Sequence, residues 1–322
     1  MIVESEERQA LRAAVRKLGL RYGRDYYLGK ARTGGHTTEL WREAGQLGYL
    51  GVHIPEEHGG GGGGIGDLAA VCEELAAAGT PLGLLVVSPA ICATVIHRSG
   101  TDDQRKKWLP GLIDGTLKFA FAITEPEAGS NSHRLSTVAS LEAGEWILNG
   151  RKTFITGVDE ADAVLVVART ADARTGRLKP ALFIVPTDAP GFSKQHIPTE
   201  LVAPEKQFAL FLDSVRLPAD ALVGSEDAGL AQLFAGLNPE RITAAAFATG
   251  LARAALEKAV DYAKTRQVWE VPIGAHQAIA HPLAVAHINV ELARLMTQKA
   301  AYLYDIGDDF GAGEAADRKS VV

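Results

Sequence analysis

Cysteine is scarce in this chain, which has only Cys72 and Cys92 among its 322 residues. Neither belongs to a CxxC motif or has a histidine-rich neighbourhood. The pattern therefore argues against a disulfide framework and a zinc site, and it is typical of a protein in a reducing compartment. We expect both cysteines to be buried small hydrophobic side chains and expect no bound metal.

The sequence also lacks an excess of positive charge and any long apolar run. Its net charge is −6, so nothing indicates a nucleic-acid partner. The N-terminal residues are acidic, without the apolar core of a signal peptide. The most apolar stretch, residues 82–96, is too short to span a bilayer and contains Ser88 and Pro89. These absences predict a soluble, cytoplasmic protein with no membrane contact.

The sequence divides into three parts with different residue patterns. These patterns predict an α+β protein in which a helical part, a β part and a second helical part follow one another. Residues 1–117 form a helical N-terminal domain, residues 118–226 a middle β-domain and residues 227–322 a helical bundle. Glycines 59–64 contain GxGxxG, but no predicted strand precedes them. We interpret this tract as a flexible surface loop.

The middle domain contains short β-rich segments without helical stretches between them. They are residues 119–124, 145–149, 152–156, 163–169, 181–186 and 207–213. Asn149-Gly150 is typical of a two-residue hairpin turn, because both positions of a type I′ turn need positive φ. The spacing predicts a small antiparallel barrel or sandwich.

Long helices follow in the last third. Asn238-Pro239 is typical of an N-cap with proline at the first helical position, which predicts a helix to about Arg266. A second helix carries an apolar stripe at Ile279, Leu283, Ala286, Val290 and Ala293. A further helix is expected to begin near Glu314, and since no cap or polar tail follows, we interpret the polypeptide as truncated.

Residues 121–131, FAITEPEAGSN, form a strand that leads into a Pro/Gly turn with two hydroxyl groups, Thr124 and Ser130. Backbone N–H groups in such a turn can hold a phosphate or the polar edge of a heterocycle. Turn chemistry alone leaves an ordinary loop as an alternative, in which the hydroxyls bond to their own backbone.

This segment resembles a signature of the acyl-CoA dehydrogenase family. The likeness extends over nearly the whole chain, in order, through residues 51–60, 121–131, 154–156 and 210–218 and through Arg266 with Gln277. Four features depart from the family's common pattern. Phe154 replaces tryptophan, Asn131 replaces aspartate, Glu127 replaces a small residue and Trp269-Glu270 replaces Phe-Gly.

The resemblance implies FAD as cofactor and an acyl-CoA substrate. The side chains that it places around the flavin are Phe121, Ile123, Thr124, Phe154 and Thr156. Ser130 would approach both the FAD pyrophosphate and the thioester. Arg266 and Gln277 would reach the FAD of a partner subunit, which implies a homodimer or homotetramer, or a hetero-oligomer with a homologue.

The family's chemistry removes an α-proton from the thioester while a β-hydride passes to the flavin, with electrons going on to an electron-transferring flavoprotein in lipid and fatty-acid metabolism. Glu240 occupies one of two places where the family carries its base, and Arg241 beside it is assigned to substrate binding. By position alone, Glu240 is an acidic residue in a first helical turn. Other readings keep the fold but make the chain an oxidase, a flavin monooxygenase, an acyl-carrier-protein desaturase or a non-catalytic subunit.

Overall fold

The computed structural model describes residues 4–171, 175–225 and 229–316. Its first part is helical, as predicted, and no strand occurs in the described residues before Phe119. The helices are α1 (Glu6–Thr33), α2 (Thr38–Gln46), α3 (Ile65–Ala77), α4 (Thr94–Ser99) and α5 (Asp102–Asp114). A π-helical turn, Ser88–Ala93, precedes α4.

Local signals fix the ends of α5. Thr101 Oγ accepts a hydrogen bond from the Gln104 N–H at 3.2 Å, and Gln104 Oε1 accepts one from the Thr101 N–H at 3.0 Å. This reciprocal capping box starts the helix, and Gly115 in the left-handed conformation ends it.

The glycine tract lies at the surface, but backbone hydrogen bonds hold it. The N–H groups of glycines 61, 62 and 63 donate to the carbonyls of Gly51, Ile54 and Val52. A Cβ at Gly60 would overlap the Ile54 carbonyl. Gly60 is therefore needed for close backbone packing, which the interpretation as a flexible loop did not include.

The middle part is a seven-stranded sheet in which most neighbours are antiparallel. Its strands are β1 (Phe119–Ala122), β2 (Val138–Glu142), β3 (Glu145–Thr156), β4 (Ala163–Ala171), β5 (Leu178–Pro186), β6 (Phe192–Ile197) and β7 (Gln207–Pro218). The order is β1-β4-β2-β3-β7-β6, with β5 on β4. The pairs β1–β4 and β2–β4 are parallel, which was not predicted from the sequence. Strands β2 and β6 were not predicted either.

The predicted hairpin at Asn149-Gly150 is wrong. Strand β3 runs through both residues, and the turn that joins β2 to β3 is at Ala143-Gly144, where φ is 51° and 86°. Asn149 Oδ1 instead accepts the Ser214 N–H at 2.8 Å. A Cβ on Gly150 would be 2.7 Å from the Thr137 Cα, so this glycine allows two backbones to approach.

After the sheet come α6 (Gly229–Thr265), the short strands β8 (Gln267–Val268) and β9 (Val271–Pro272), α7 (Gln277–Asp305) and α8 (Asp309–Ala316). The predicted helix start at Asn238-Pro239 is wrong, since Pro239 lies inside α6. In α7, Val290 and Ala293 of the predicted stripe are buried, whereas Ile279 is 37% exposed. The C-terminal residues 320–322 lie outside the described part.

By their contacts the residues form two compact units. The first comprises residues 4–27, 64–82 and 241–316, and the second comprises residues 28–63 and 83–240. Both cysteines are buried and free, as expected. None of the helices in the described ranges is long and apolar enough to cross a membrane.

In the first unit, a buried charge network joins the helices. Arg12 of α1 donates to Glu4, Glu73 and Glu74, and Arg253 of α6 donates to the same two α3 carboxylates. Each charge therefore has opposite charges within hydrogen-bond distance, as burial of charge requires.

Candidate active site

The end of β1 presents a partly exposed apolar surface in the second unit. Phe121, Ile123 and Thr124 are each partly exposed, and the two apolar side chains pack against the buried core between helices and sheet. The turn that follows is closed by two backbone hydrogen bonds of 3.1 Å between Glu125 and Ala128. Ser130 lies just beyond this turn and is exposed.

The C-terminal end of β3 lies beside this surface. The Thr153 N–H donates to the Thr124 carbonyl at 2.9 Å. Phe154 has φ of +56° and is 62% exposed, an unusual conformation for a bulky residue and an unusual exposure for an aromatic ring. The pairing of β3 with β7 shifts register between Lys152 and Ile155, so Phe154 lies in a bulge.

Thr156 completes this side of the surface. Its hydroxyl exchanges hydrogen bonds with the side-chain amide of Gln207 on β7, at 3.2 Å to Oε1 and 3.0 Å from Nε2. The structure thus brings together the predicted residues Phe121, Ile123, Thr124, Phe154 and Thr156. We call this surface, residues 121–124 and 153–156, the β1–β3 wall.

Sequence reasoning missed a buried ion pair behind the wall. Lys152 Nζ donates to Glu125 Oε1 at 2.8 Å, and both side chains are almost fully buried. Burial would raise the pKa of Glu125, but hydrogen bonds from Lys152, Ser136 and Thr137 outweigh it and lower this pKa to about 2. Burial lowers the pKa of Lys152 to about 8 against the opposing attraction of Glu125. The pair is therefore ionised at neutral pH.

One sequence signal could have revealed this pair. Side chains alternate between the two faces of a strand, and Lys152 shares its face with the fully buried Leu148 on β3. A lysine at an inward position needs an acidic partner, and Glu125 follows β1. The pairing itself depends on sheet topology, which the sequence did not supply.

Helix α6 carries Glu240 on the face that meets the same core. Leu233, Leu237 and Glu240 follow one another at helical spacing, and the two leucines pack into the cluster that receives Phe121 and Ile123. Glu240 itself is half-buried. Because α6 includes Gly229–Thr265, Glu240 is not in a first helical turn, and the helix N-terminus does not act on its carboxylate.

Three predicted residues belong to the first unit. Arg241 follows Glu240 on α6, and Arg266 and Gln277 flank the β8–β9 hairpin. The turn of this hairpin holds Trp269 and Glu270 at φ of 50° and 65°, and Trp269 is 85% exposed. A glycine would adopt a positive φ in this turn without steric cost. The replacement of the family's Phe-Gly by Trp269-Glu270 therefore strains the backbone of the turn.

The β1–β3 wall has the chemistry that a flavin requires. A flavin ring has apolar faces and one polar, hydrogen-bonding edge. The wall supplies partly exposed aromatic and aliphatic side chains, the Thr124 and Thr156 hydroxyls, and an exposed turn with Gly129, around which a Cβ would meet only open space. These residues fit FAD.

Comparison with known proteins identifies the family of the chain. Models of the N-terminal, middle and C-terminal domains of acyl-CoA dehydrogenases match residues 5–116, 120–214 and 227–319. The chain is 65% identical over 315 residues to acyl-CoA dehydrogenase FadE12 of Mycobacterium tuberculosis, covering 98% of this chain and 81% of that protein.

Solved structures are similar as well. A glutaryl-CoA dehydrogenase from Mycobacterium smegmatis in complex with FADH2 has a TM-score of 0.89 at 28% identity, covering 99% of this chain and 82% of that one. A chain from a study of the electron transferring flavoprotein of Acidaminococcus fermentans has a TM-score of 0.91 at 28% identity, with 99% and 86% covered. The chain therefore belongs to the acyl-CoA dehydrogenase family.

Proposed function

We propose that this FAD-dependent enzyme desaturates an acyl-CoA thioester between its α and β carbons, with Glu240 as the base that takes the α-proton. The observation that carries this proposal is the position of Glu240. It lies one turn after Leu237, which packs into the same core as Phe121 and Ile123 of the β1–β3 wall. Bound FAD supplies the acceptor for the β-hydride.

Glu240 can act as a base only if its carboxylate loses water when the acyl chain binds. A solvated glutamate is too weak a base for an α-proton, whereas an apolar surrounding raises the pKa of a carboxyl group. Glu240 is half-buried, and the apolar Leu233 and Leu237 lie on its face of α6. An acyl chain laid against the partly exposed Leu237 would complete the desolvation of Glu240.

The remaining assignments follow from family membership. We propose that Thr124, Phe154 and Thr156 contact the flavin ring, that Ser130 contacts the pyrophosphate and the thioester, and that Arg241 assists substrate binding. Arg266 and Gln277 would contact the FAD of a second subunit, in a homodimer or homotetramer. An electron-transferring flavoprotein is the proposed electron acceptor, supported by the similarity to the Acidaminococcus chain, and the cytoplasm is the proposed location.

The test is Glu240→Gln, which keeps the size of the side chain and removes its basicity. The variant is expected to bind FAD as the wild type does, yet to leave the flavin oxidised when any acyl-CoA is added anaerobically. Straight, branched, aromatic and steroid-derived acyl-CoAs form the substrate panel, and loss of the flavin absorbance band is the measurement.

Glu257→Gln is the matched control, because Glu257 is an exposed acid on the same helix that pairs with Arg16. It should reduce its flavin at the wild-type rate. Full flavin reduction in Glu240→Gln would exclude Glu240 as the base. Hydrogen peroxide formed in air at one equivalent per product would instead identify an oxidase.

A further inference from the structure

The buried pair of Lys152 and Glu125 lies directly behind the β1–β3 wall. The Lys152 side chain is 0% exposed and that of Glu125 is 2% exposed. Removal of two charges from water is unfavourable, and a buried ion pair is often no more stabilising than a well-packed apolar pair. Stability alone is therefore a poor explanation for charges at this place.

The carboxylate is saturated with donors from one short segment. Besides Lys152 Nζ, it accepts the Ser136 N–H and the Ser136 hydroxyl, each at 2.6 Å, and the Thr137 N–H at 3.0 Å. These bonds fix the segment that leads into β2 and orient both carboxylate oxygens. The bonds to Ser136 and Thr137 therefore fix the position of the Glu125 carboxylate independently of Lys152.

The ammonium group connects this anchor to the wall. Lys152 Nζ also donates to the Ile123 carbonyl at 3.1 Å. Thr124 therefore lies between two residues that the same ammonium group holds, and its own carbonyl accepts the Thr153 N–H at 2.9 Å. Lys152 is thus linked to both strands of the wall. Its ammonium group bonds to Ile123 after β1, and its chain neighbour Thr153 on β3 bonds to Thr124.

The wall is also where regular sheet pairing ends. Strand β1 stops at Ala122, and the β3–β7 register shifts after Lys152, so Phe154 adopts its left-handed conformation without a regular ladder around it. Backbone groups beyond a strand end need other partners. The Lys152–Glu125 pair supplies them on the β1 side.

We infer that Lys152 and Glu125 are positioning residues that hold Ile123, Thr124 and the Phe154 bulge at the spacing of the flavin ring. This inference rests on the proposed assignment of the β1–β3 wall to FAD. It goes beyond that assignment, because neither residue is part of the exposed wall. Both act through the backbone that they hold.

The central experiment compares three variants by their affinity for FAD. Lys152→Met leaves the Glu125 carboxylate without its cation, Lys152→Met/Glu125→Gln removes both charges, and Lys118→Met is the control. Lys118 is a buried lysine at the opposite end of β1, ion-paired with Glu160. FAD dissociation constants are measured by titration of the stripped protein, well below each unfolding temperature.

Lys152→Met is expected to weaken FAD binding at least about tenfold more than Lys118→Met, a factor that corresponds to about 1.4 kcal/mol. In the double variant, stability should recover, because two neutral partners remove the uncompensated charge. The FAD affinity should stay as low as in Lys152→Met. A purely structural pair would restore stability and affinity together, and that result would overturn the inference.

Amide hydrogen exchange of the wild-type protein without FAD is a second test, and it does not depend on whether any variant folds. The Thr153 amide hydrogen is expected to exchange among the slowest in the sheet if the wall is held in advance of FAD. Exchange at the rate of an unstructured peptide would overturn the inference. Failure of the wild type to bind FAD would contradict the site assignment instead, and slow exchange of the Thr153 amide would still show that the wall is held without FAD.

Discussion

The strained Phe154 makes a prediction whose sign is opposite to that of an ordinary strand residue. At normal strand positions glycine is less stabilising than alanine by about 0.5–1 kcal/mol, because glycine loses more freedom on folding. A residue with a Cβ pays about 1–2 kcal/mol for the left-handed conformation, whereas glycine does not. At Phe154, where φ is +56°, the variant Phe154→Gly should therefore be more stable than Phe154→Ala.

The magnitude follows from burial. Only about two fifths of the Phe154 surface is buried, since 62% is exposed. Complete burial of such a side chain contributes about 1.5–3 kcal/mol, so truncation to alanine should cost about 0.6–1.2 kcal/mol. Phe154→Gly loses the same ring but relieves the strain, and should exceed Phe154→Ala in stability by about 0.5–1 kcal/mol.

The assay is urea unfolding of the stripped protein, with FAD titration alongside. Leu141 is the control position, because it is 53% exposed on β2 and has no positive φ. There, the alanine variant should be the more stable. Both Phe154 variants should bind FAD about three- to tenfold more weakly, since an aromatic contact contributes about 0.5–1.5 kcal/mol. A Phe154→Gly protein less stable than Phe154→Ala, or unchanged FAD affinity, would refute the reasoning.

Two further predictions concern stability. Burial lowers the pKa of His53 from 6.5 to about 4. As the pH falls, the unfolded chain therefore takes up a proton on His53 before the folded protein does, and the folded protein becomes less stable as the pH falls from about 6.5 to 4. Between pH 7 and 5 the wild type should lose about 2 kcal/mol through His53 that His53→Leu keeps, measured by urea midpoints. In the first unit, a Cβ at Gly250 of α6 would overlap the Glu73 carbonyl of α3, so Gly250→Ala should cost about 1–3 kcal/mol in thermal unfolding. Gly29→Ala in α1, where a Cβ meets nothing, should not destabilise, and equal losses at the two glycines would contradict the argument from helix contact.

The sequence carried the information that is local along the chain. Helical and strand periodicity were sufficient for the α, β, α order, because side-chain spacing reflects which face of an element is buried. The segment 121–131 is contiguous, so its strand, turn and hydroxyl groups were recognisable together. Its similarity to a known family then supplied the cofactor and the candidate base.

Tertiary structure decided whatever depends on partners distant in sequence. Asn149-Gly150 has the local preference for a hairpin, but Gly150 lies inside β3 because the backbone at Thr137 packs against it. Lys152 and Glu125 are 27 positions apart and meet only through the sheet. Phe154 has a positive φ at the place where the pairing of β3 with β7 shifts register. Strand register and buried charge pairing are set by which strands become neighbours, and that information is not contained in any single segment.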